Sequence, residues 1–250
     1  MISSTAKIGK NVVIGENVVI EDNVTICDNV TIGHNVVIRK DTFIQEGCII
    51  GDNTVLGKRP FKASASAVTE EKELPPLQIG KYVTIGANCV IYRGATLKDY
   101  VFVGDLASIR EDVEIGEYTI VGRGVAVENK TKIGRYVKIE TNAYITAISI
   151  IEDYCFIAPN VTLTNDNFLG RTEERKKYFK GATIKKGARI GANATILPGK
   201  EIGEDALIAA GSVLTKNAEP RKIYVGIPAK ELRDVPNEQL IENQSYYKEK

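Results

Sequence analysis

The chain has no tryptophan, one methionine and one histidine among 250 residues, and each scarcity excludes something. A single histidine, His34, cannot build a zinc site that needs several imidazoles. Four cysteines occur without a C-x-x-C spacing, which argues against both a metal site and a disulfide framework. No apolar run approaches 18 residues and no charged-then-apolar leader follows Met1. Neither a membrane span nor a signal peptide is therefore expected, and the expected location is cytoplasmic. Charge of one sign is lacking too: 33 Lys and Arg stand against 32 Asp and Glu, a net charge of +1. That balance gives no global field toward nucleic acid or an anionic membrane, and neither is expected as a partner.

What the chain has in abundance is an aliphatic residue at every sixth position. The run is unbroken over 15 positions from Ile79, Ile85, Ile91 and Leu97 to Leu163. Nine more lie between Ile8 and Leu56 and six between Ile184 and Leu214, so all 30 hexads carry one. A helix repeats at 3.6 and a strand at 2, and neither gives a period of six. Glycine often follows the aliphatic, as in Ile8-Gly9 and Ile133-Gly134, with Asn, Asp or Gly two residues further on. Such a unit is a short strand plus a turn with positive φ, which Gly, Asn and Asp tolerate. Six-residue repeats mark a parallel β-helix, which grows by adding coils and needs no single globular core. The expected organisation is a solenoid over residues 1–217 and a C-terminal extension over 218–250. After Pro236 the extension reads as a short polar helix with no apolar stripe wide enough to dock it.

The repeat also absorbs features that look functional. Cys48, Cys89 and Cys155 fall four residues after a repeat aliphatic, where Val, Thr, Ala or Ser otherwise sits, and act as small apolar filler. The Asn-x-Thr strings at Asn23, Asn29, Asn129, Asn160 and Asn193 are products of the same repeat, not glycosylation acceptors.

Two interruptions, residues 57–78 and 164–183, are more informative, because long excursions from a solenoid usually carry function. Loop one sets Lys58, Arg59 and Lys62 beside serines, a composition that suits a pyrophosphate. Gly51 to Lys58 is not a P-loop, since five residues separate its glycines and Arg59 stands where Ser or Thr belongs. Loop two opens on Asn165 and Asp166 and continues through Arg171, Arg175, Lys176 and Lys177.

The hexads resemble those of the hexapeptide-repeat acyltransferases, which implies a left-handed parallel β-helix with three hexads to a triangular coil. Thirty hexads then give about ten coils, and a prism ~50 Å tall. The breaks follow the ninth and 24th hexads, so both loops should leave the same corner, five coils apart. Residues 18 apart should stack: Asp105 under Arg123, Arg110 under Glu128, and Arg93, Glu111 and Asn129 in a column. These are expected to be solvated charge ladders, each pair contributing up to about 1 kcal/mol. The stretch Ala158 to Asp166, APNVTLTND, looks like the P-N-V-T-x-T-N-D segment of the nucleotide-linked amino-sugar N-acyltransferases. Within them the chain is most similar to those acting on dTDP-amino-6-deoxyhexoses. Ala209 to Lys216 and Val225 to Lys230 are similar to the closing segment common across the superfamily. That resemblance implies Ala192, Ala210 and Gly211 along a pantetheine arm, Lys216 and Arg221 near phosphate, and Pro228 near adenine.

Acyl transfer from a thioester to an amine needs a neutral amine, a donor for the tetrahedral oxyanion and a destination for the proton. His34 belongs to the second coil, about six coils and ~28 Å from Asn160, and cannot serve as the base there. The single histidine also excludes the γ-type carbonic anhydrases, which share the fold but need several on zinc. The resemblance implies a mechanism without a dedicated base, in which the coenzyme A sulfur finally takes the proton. Glu140 and Asn160 would orient the sugar amine, and a backbone amide would face the oxyanion. Asn142, Asp166, Lys58 and Arg59 would make further substrate contacts. Glu140 is notable because it replaces the usual glycine after the aliphatic. The expected protein is a homotrimeric, metal-free N-acyltransferase using acetyl-CoA or a longer hydroxyacyl-CoA. Its acceptor would be the 3- or 4-amino group of a dTDP-linked amino-6-deoxyhexose, in cell-surface glycan (O-antigen) biosynthesis. The alternatives are a UDP-amino-sugar acceptor and a non-catalytic β-helix scaffold. A hydroxyl acceptor is disfavoured because an alcohol needs a base far more than an amine does.

Overall fold

In a computed structural model describing residues 1–64, 69 and 72–245, the 30 hexads wrap into ten coils of three short strands each. Face one runs from Lys7–Ile8 to Glu201–Ile202, face two from Val13–Ile14 to Leu207–Ile208, and face three from Val19–Ile20 to Val213–Leu214. Every hexad strand pairs in parallel with its counterpart in the next coil, as in Lys7↔Thr25 and Ile8↔Ile26. The aliphatic of each strand points inward, and from Ile20 to Leu214 these side chains are almost wholly buried in one continuous core. The expected all-β parallel solenoid is the fold.

The turns explain the hexad chemistry. One residue per turn has positive φ, and Asn11, Asn17, Asn23, Asn29 and Asn35 all lie between 54° and 58°. In the first coils their side chains bond along the axis, Asn17 to Asn35 at 3.2 Å and Asn35 to Asn53 at 3.1 Å. The small residue after the turn faces the core. Cys48, Cys89 and Cys155 occupy that place fully buried, and the Cys48 thiol donates to Gly80 O at 3.0 Å. Burial pushes the Cys48 thiol up to about 11 and that of Cys155 to about 12.

The three edges can be named by the faces they join: the first edge joins faces one and two, the second faces two and three, the third faces three and one. Loop one follows Val55–Lys58 of face three in coil 3, and loop two follows Thr162–Leu163 of face three in coil 8. Both therefore leave the third edge, five coils apart, as the hexad count requires.

The charge columns depart from expectation. Arg110 does meet Glu128, at 3.4 Å. Arg93, Glu111 and Asn129 are not solvated rungs, however, with exposures of 6, 4 and 2%. Arg93 donates to Leu74 O at 2.9 Å and Lys40 O at 2.7 Å and pairs with Asp41 at 3.1 Å, pinning the returning end of loop one to the third edge. Glu111 takes two hydrogen bonds from the Arg110 guanidinium, at 2.8 and 3.0 Å. Loop one covers this column, which an axial repeat alone cannot reveal. No ion pair forms between Asp105 and Arg123 among the described residues; Asp105 Oδ1 accepts instead from the Ala87 amide at 2.8 Å.

The C-terminal extension also differs from its reading. Lys222–Gly226 adds in parallel beside Leu207–Ile208, and Ala229–Asp234 folds back antiparallel, bringing face two to twelve strands. The following segment forms two 3-10 turns, Asn237–Gln239 and Ile241–Asn243, rather than one helix. It docks through Leu240, 3% exposed, against Ile223 and Val235. Polar contacts join that leucine, the Ile241 amide donating to Asp205 at 3.1 Å and Arg189 to Gln239 at 3.0 Å.

Candidate functional site

The second edge gathers most of the residues singled out by sequence. After each face-two strand the chain turns through it, with Gly15, Gly33, Gly51, Gly86, Gly104 and Gly122 following the aliphatic in coils 1–6. These glycines are close-packed: a Cβ on Gly122 would lie 2.8 Å from Ile139 O. In coil 7 Glu140 takes that position, its amide still bonded to Ile157 O at 2.8 Å. Asn142 follows at φ 60° and Asn160 at φ 58° one coil above, both exposed. Beneath Asn142 the turn residue is Gly124, and a Cβ there would sit 2.5 Å from Asn142 Oδ1.

These side chains are unlike the asparagines of the first coils. Among the described residues Glu140, Asn142 and Asn160 make no side-chain hydrogen bond or ion pair, although an asparagine ladder is geometrically available. Above them the same edge carries Ala192 in coil 9 and Ala210 and Gly211 in coil 10, with the Gly211 amide bonded to Ala192 O at 2.8 Å. Gly211 has φ 68°, and an added Cβ would meet nothing within 4 Å, so the edge is open there. The hairpin tip with Pro228 caps the line, tied down by the Gly226 amide to Ser212 Oγ at 3.0 Å. The second edge thus offers two carboxamides and a carboxylate, then a strip of small residues with open space beside Gly211.

Other expected site residues lie elsewhere. Asp166 is on the third edge and is spent on its own loop: it accepts from the Phe168 and Gly170 amides at 2.9 Å each and pairs with Arg175 at 2.9 Å. Burial works to raise its pKa, but those amides and Arg175 outweigh it and hold the carboxyl below the usual range. Lys216 sits at the third edge of coil 10. Arg221, by the first edge, pairs with Glu242 at 3.1 Å. Lys58 and Arg59 are at the third edge of coil 3, four coils and ~19 Å along the axis below Glu140. His34 is a turn residue whose Nδ1 accepts the Glu16 amide at 3.0 Å, the role Asp28 plays on the first edge of the same coil and Asp52 on the second edge of the next.

One feature escaped the sequence reading. Tyr82, Tyr100, Tyr118, Tyr136 and Tyr154 stack along the first edge with ring centroids 4.8–5.3 Å apart. Their spacing of 18 is visible in the sequence, but each sits in a left-handed turn, φ 54° to 61°, a place that residue type does not signal. Glu128, which meets Arg110 as the 18-residue spacing expects, has its carboxyl raised above the usual range by burial while Arg110 pulls the other way. Among the described residues no cluster of three or more His, Cys, Asp or Glu is placed to hold a metal, and no helix is long and apolar enough to cross a membrane.

Comparison with known proteins agrees with the repeat. Residues 5–40 and 181–216 match the family described as bacterial transferase hexapeptide (six repeats), and 76–104 the hexapeptide repeat of succinyl-transferase. No curated protein matches the chain. Among solved structures, a Francisella novicida UDP-N-acetylglucosamine acyltransferase is 18% identical, over 93% of this chain and 69% of that one, with a TM-score of 0.44. A Vibrio cholerae hexapeptide-repeat acetyltransferase in complex with acetyl coenzyme A is 23% identical over 49% and 71%, TM-score 0.41. A mutant Caulobacter crescentus GDP-perosamine N-acetyltransferase, with CoA and GDP-perosamine, is 20% identical over 61% and 57%, TM-score 0.36. Scores of this size do not by themselves establish a shared fold; the solenoid rests on its own strand pairing.

Proposed function

We propose that the protein is an acyl-CoA-dependent N-acyltransferase whose acceptor is the amine of a nucleotide-linked amino-6-deoxyhexose, with dTDP as the nucleotide. One observation carries the reading: the unladdered side chains of Glu140, Asn142 and Asn160 lie on the same edge as, and directly below, the open strip of Ala192, Ala210 and Gly211. The bacterial-transferase hexapeptide match at both ends of the solenoid supports a transferase.

The strip fits a pantetheine arm, because its small side chains leave room beside the edge, an added Cβ on Gly211 meeting nothing within 4 Å, and Pro228 closes its upper end. The coenzyme supplies an activated acyl group as its thioester. This chain's residues hold the acceptor: Glu140 takes an N–H of the amine and Asn160 fixes its orientation, so that the nitrogen lone pair faces the thioester carbon. A C–N bond forms, the C–S bond breaks, and the amine's surplus proton leaves with the thiol. Asn142 makes a secondary contact to the sugar. Asp166, Arg221 and Lys216 have no part on this edge within one chain; packing of a second subunit, as in a trimer, would be needed to bring any of them near.

The test is thiol release from acetyl-CoA, read with DTNB, offering dTDP-3-amino- and dTDP-4-amino-6-deoxyglucose separately. Release with one sugar alone is expected. No release with either, and no shift in melting temperature on adding them, would sink the nucleotide-sugar reading in favour of a scaffold.

A further inference from the structure

A cavity of about 440 Å³ opens at the third edge of coils 2–4, where loop one begins. Its floor is the outward face of Val55 and Val90, and Phe61, 87% exposed, stands over it. Five cations line it, and two are neutralised: Arg39 by Glu21, and Arg93 by Asp41. Lys40, Lys58 and Arg59 remain, and among the described residues none of them has a carboxylate partner. Lys58 is steered over the Tyr92 ring at 5.2 Å, which fixes where its ammonium lies. Three uncompensated cations around an apolar floor with an aromatic above it is the complement of a ligand with two phosphates and a flat ring.

We propose that this cavity is a second ligand site, for a nucleoside diphosphate: base against Val55, Val90 and Phe61, pyrophosphate among Lys40, Lys58 and Arg59. It is separate from the acceptor site. The cavity centres on coil 3 and Glu140 lies in coil 7, so ~19 Å along the axis separates them before the width of a face is added. A sugar joined directly to its pyrophosphate does not span that gap, and side-by-side packing of parallel prisms would leave the axial separation unchanged. The loop that starts here is pinned by Arg93, so an occupant would touch the same loop whose Thr69 accepts a hydrogen bond from Arg110. The inference does not depend on the acyl-transfer reading.

The experiment is calorimetric titration of the intact protein with dTDP, inorganic pyrophosphate and thymidine, on wild type and on Arg59→Ala, Phe61→Ala and Glu140→Ala. Both cavity residues are exposed, and an unchanged melting temperature shows that their variants fold. Expected are binding of dTDP, weaker binding of pyrophosphate, and at least a tenfold loss of dTDP affinity in Arg59→Ala and Phe61→Ala with none in Glu140→Ala. Hydrogen exchange should show dTDP protecting residues 39–40 and 57–61 and not 140–142. No dTDP binding at millimolar concentration would overturn the inference, as would affinity lost only in Glu140→Ala. If thiol release is active and the acceptor KM rises in step with the dTDP Kd in Arg59→Ala, the cavity is the acceptor's own nucleotide end and the second site is excluded. Absence of thiol release in every variant, with dTDP binding as described, would leave this site standing and remove only the transferase.

Discussion

Each edge of the prism demands a left-handed backbone at one residue per coil, and that demand decides which side chains are informative. Asn, Asp and Gly meet it cheaply, so Asn142 and Asn160 at φ 60° and 58° are explained by the turn, and only their unused side chains point to function. Leu106, at φ 63° and 55% exposed, meets it at a cost and has little packing to compensate. Leu106→Asn should therefore stabilise by roughly 1 kcal/mol, seen as a higher denaturation midpoint. An unchanged or lower midpoint would mean that Leu106 is held by a contact outside this chain. The thiols make a second residue-scale prediction. Burial holds Cys48, Cys89 and Cys155 above the usual range, so at pH 8 their reactive thiolate is scarce. Native protein should leave these three silent to DTNB, and all four cysteines should react once it is unfolded in guanidinium.

Among the elements, the two loops are held by opposite logic. Loop one depends on Arg93, whose removal would leave the Leu74 and Lys40 carbonyls without this donor and Asp41 with Asn23 but no cation. Arg93→Met should cost about 2–3 kcal/mol and expose loop one to proteolysis, while the coils above it stay protected. Loop two depends on Asp166. A carboxyl held below its normal pKa contributes order that is complete above the unfolded value and is lost as pH falls through the folded one. Protection of the Phe168 and Gly170 amides should then be full at pH 5 and fall away below about pH 3.8, and Asp166→Asn should abolish both the protection and its pH dependence. The hexads made the strands, the shared loop edge and the cysteine positions legible, because each follows from a period counted along the chain. The anchoring role of Arg93, the capture of Asp166 by its own loop and the hairpin on face two were not legible. They arise from loops and ends folding back onto the repeat, where spacing carries no information. Glu140 stands out in the sequence because it breaks a glycine pattern, whereas only composition joins Lys58 and Arg59 to it, and the fold sets them four coils apart.

For the molecule as a whole, stacking converts position in sequence into height along an axis. Glu140, Asn160, Ala192, Gly211 and Pro228 are scattered over nearly 90 residues of chain yet fall in axial order on one edge. The same arithmetic places His34 in coil 2, about six coils below Asn160, where it serves as a turn acceptor for the Glu16 amide. The central claim is that acyl transfer runs on the second edge at coils 7 and 8 without a histidine. The measurement that tests it most directly is kcat/KM for thiol release in Glu140→Ala, Asn160→Ala and His34→Asp, with melting temperatures confirming the fold. Losses of about 100-fold or more are expected in the first two and a wild-type rate in His34→Asp. Wild-type rates in Glu140→Ala and Asn160→Ala, or a collapse in His34→Asp alone, would contradict it.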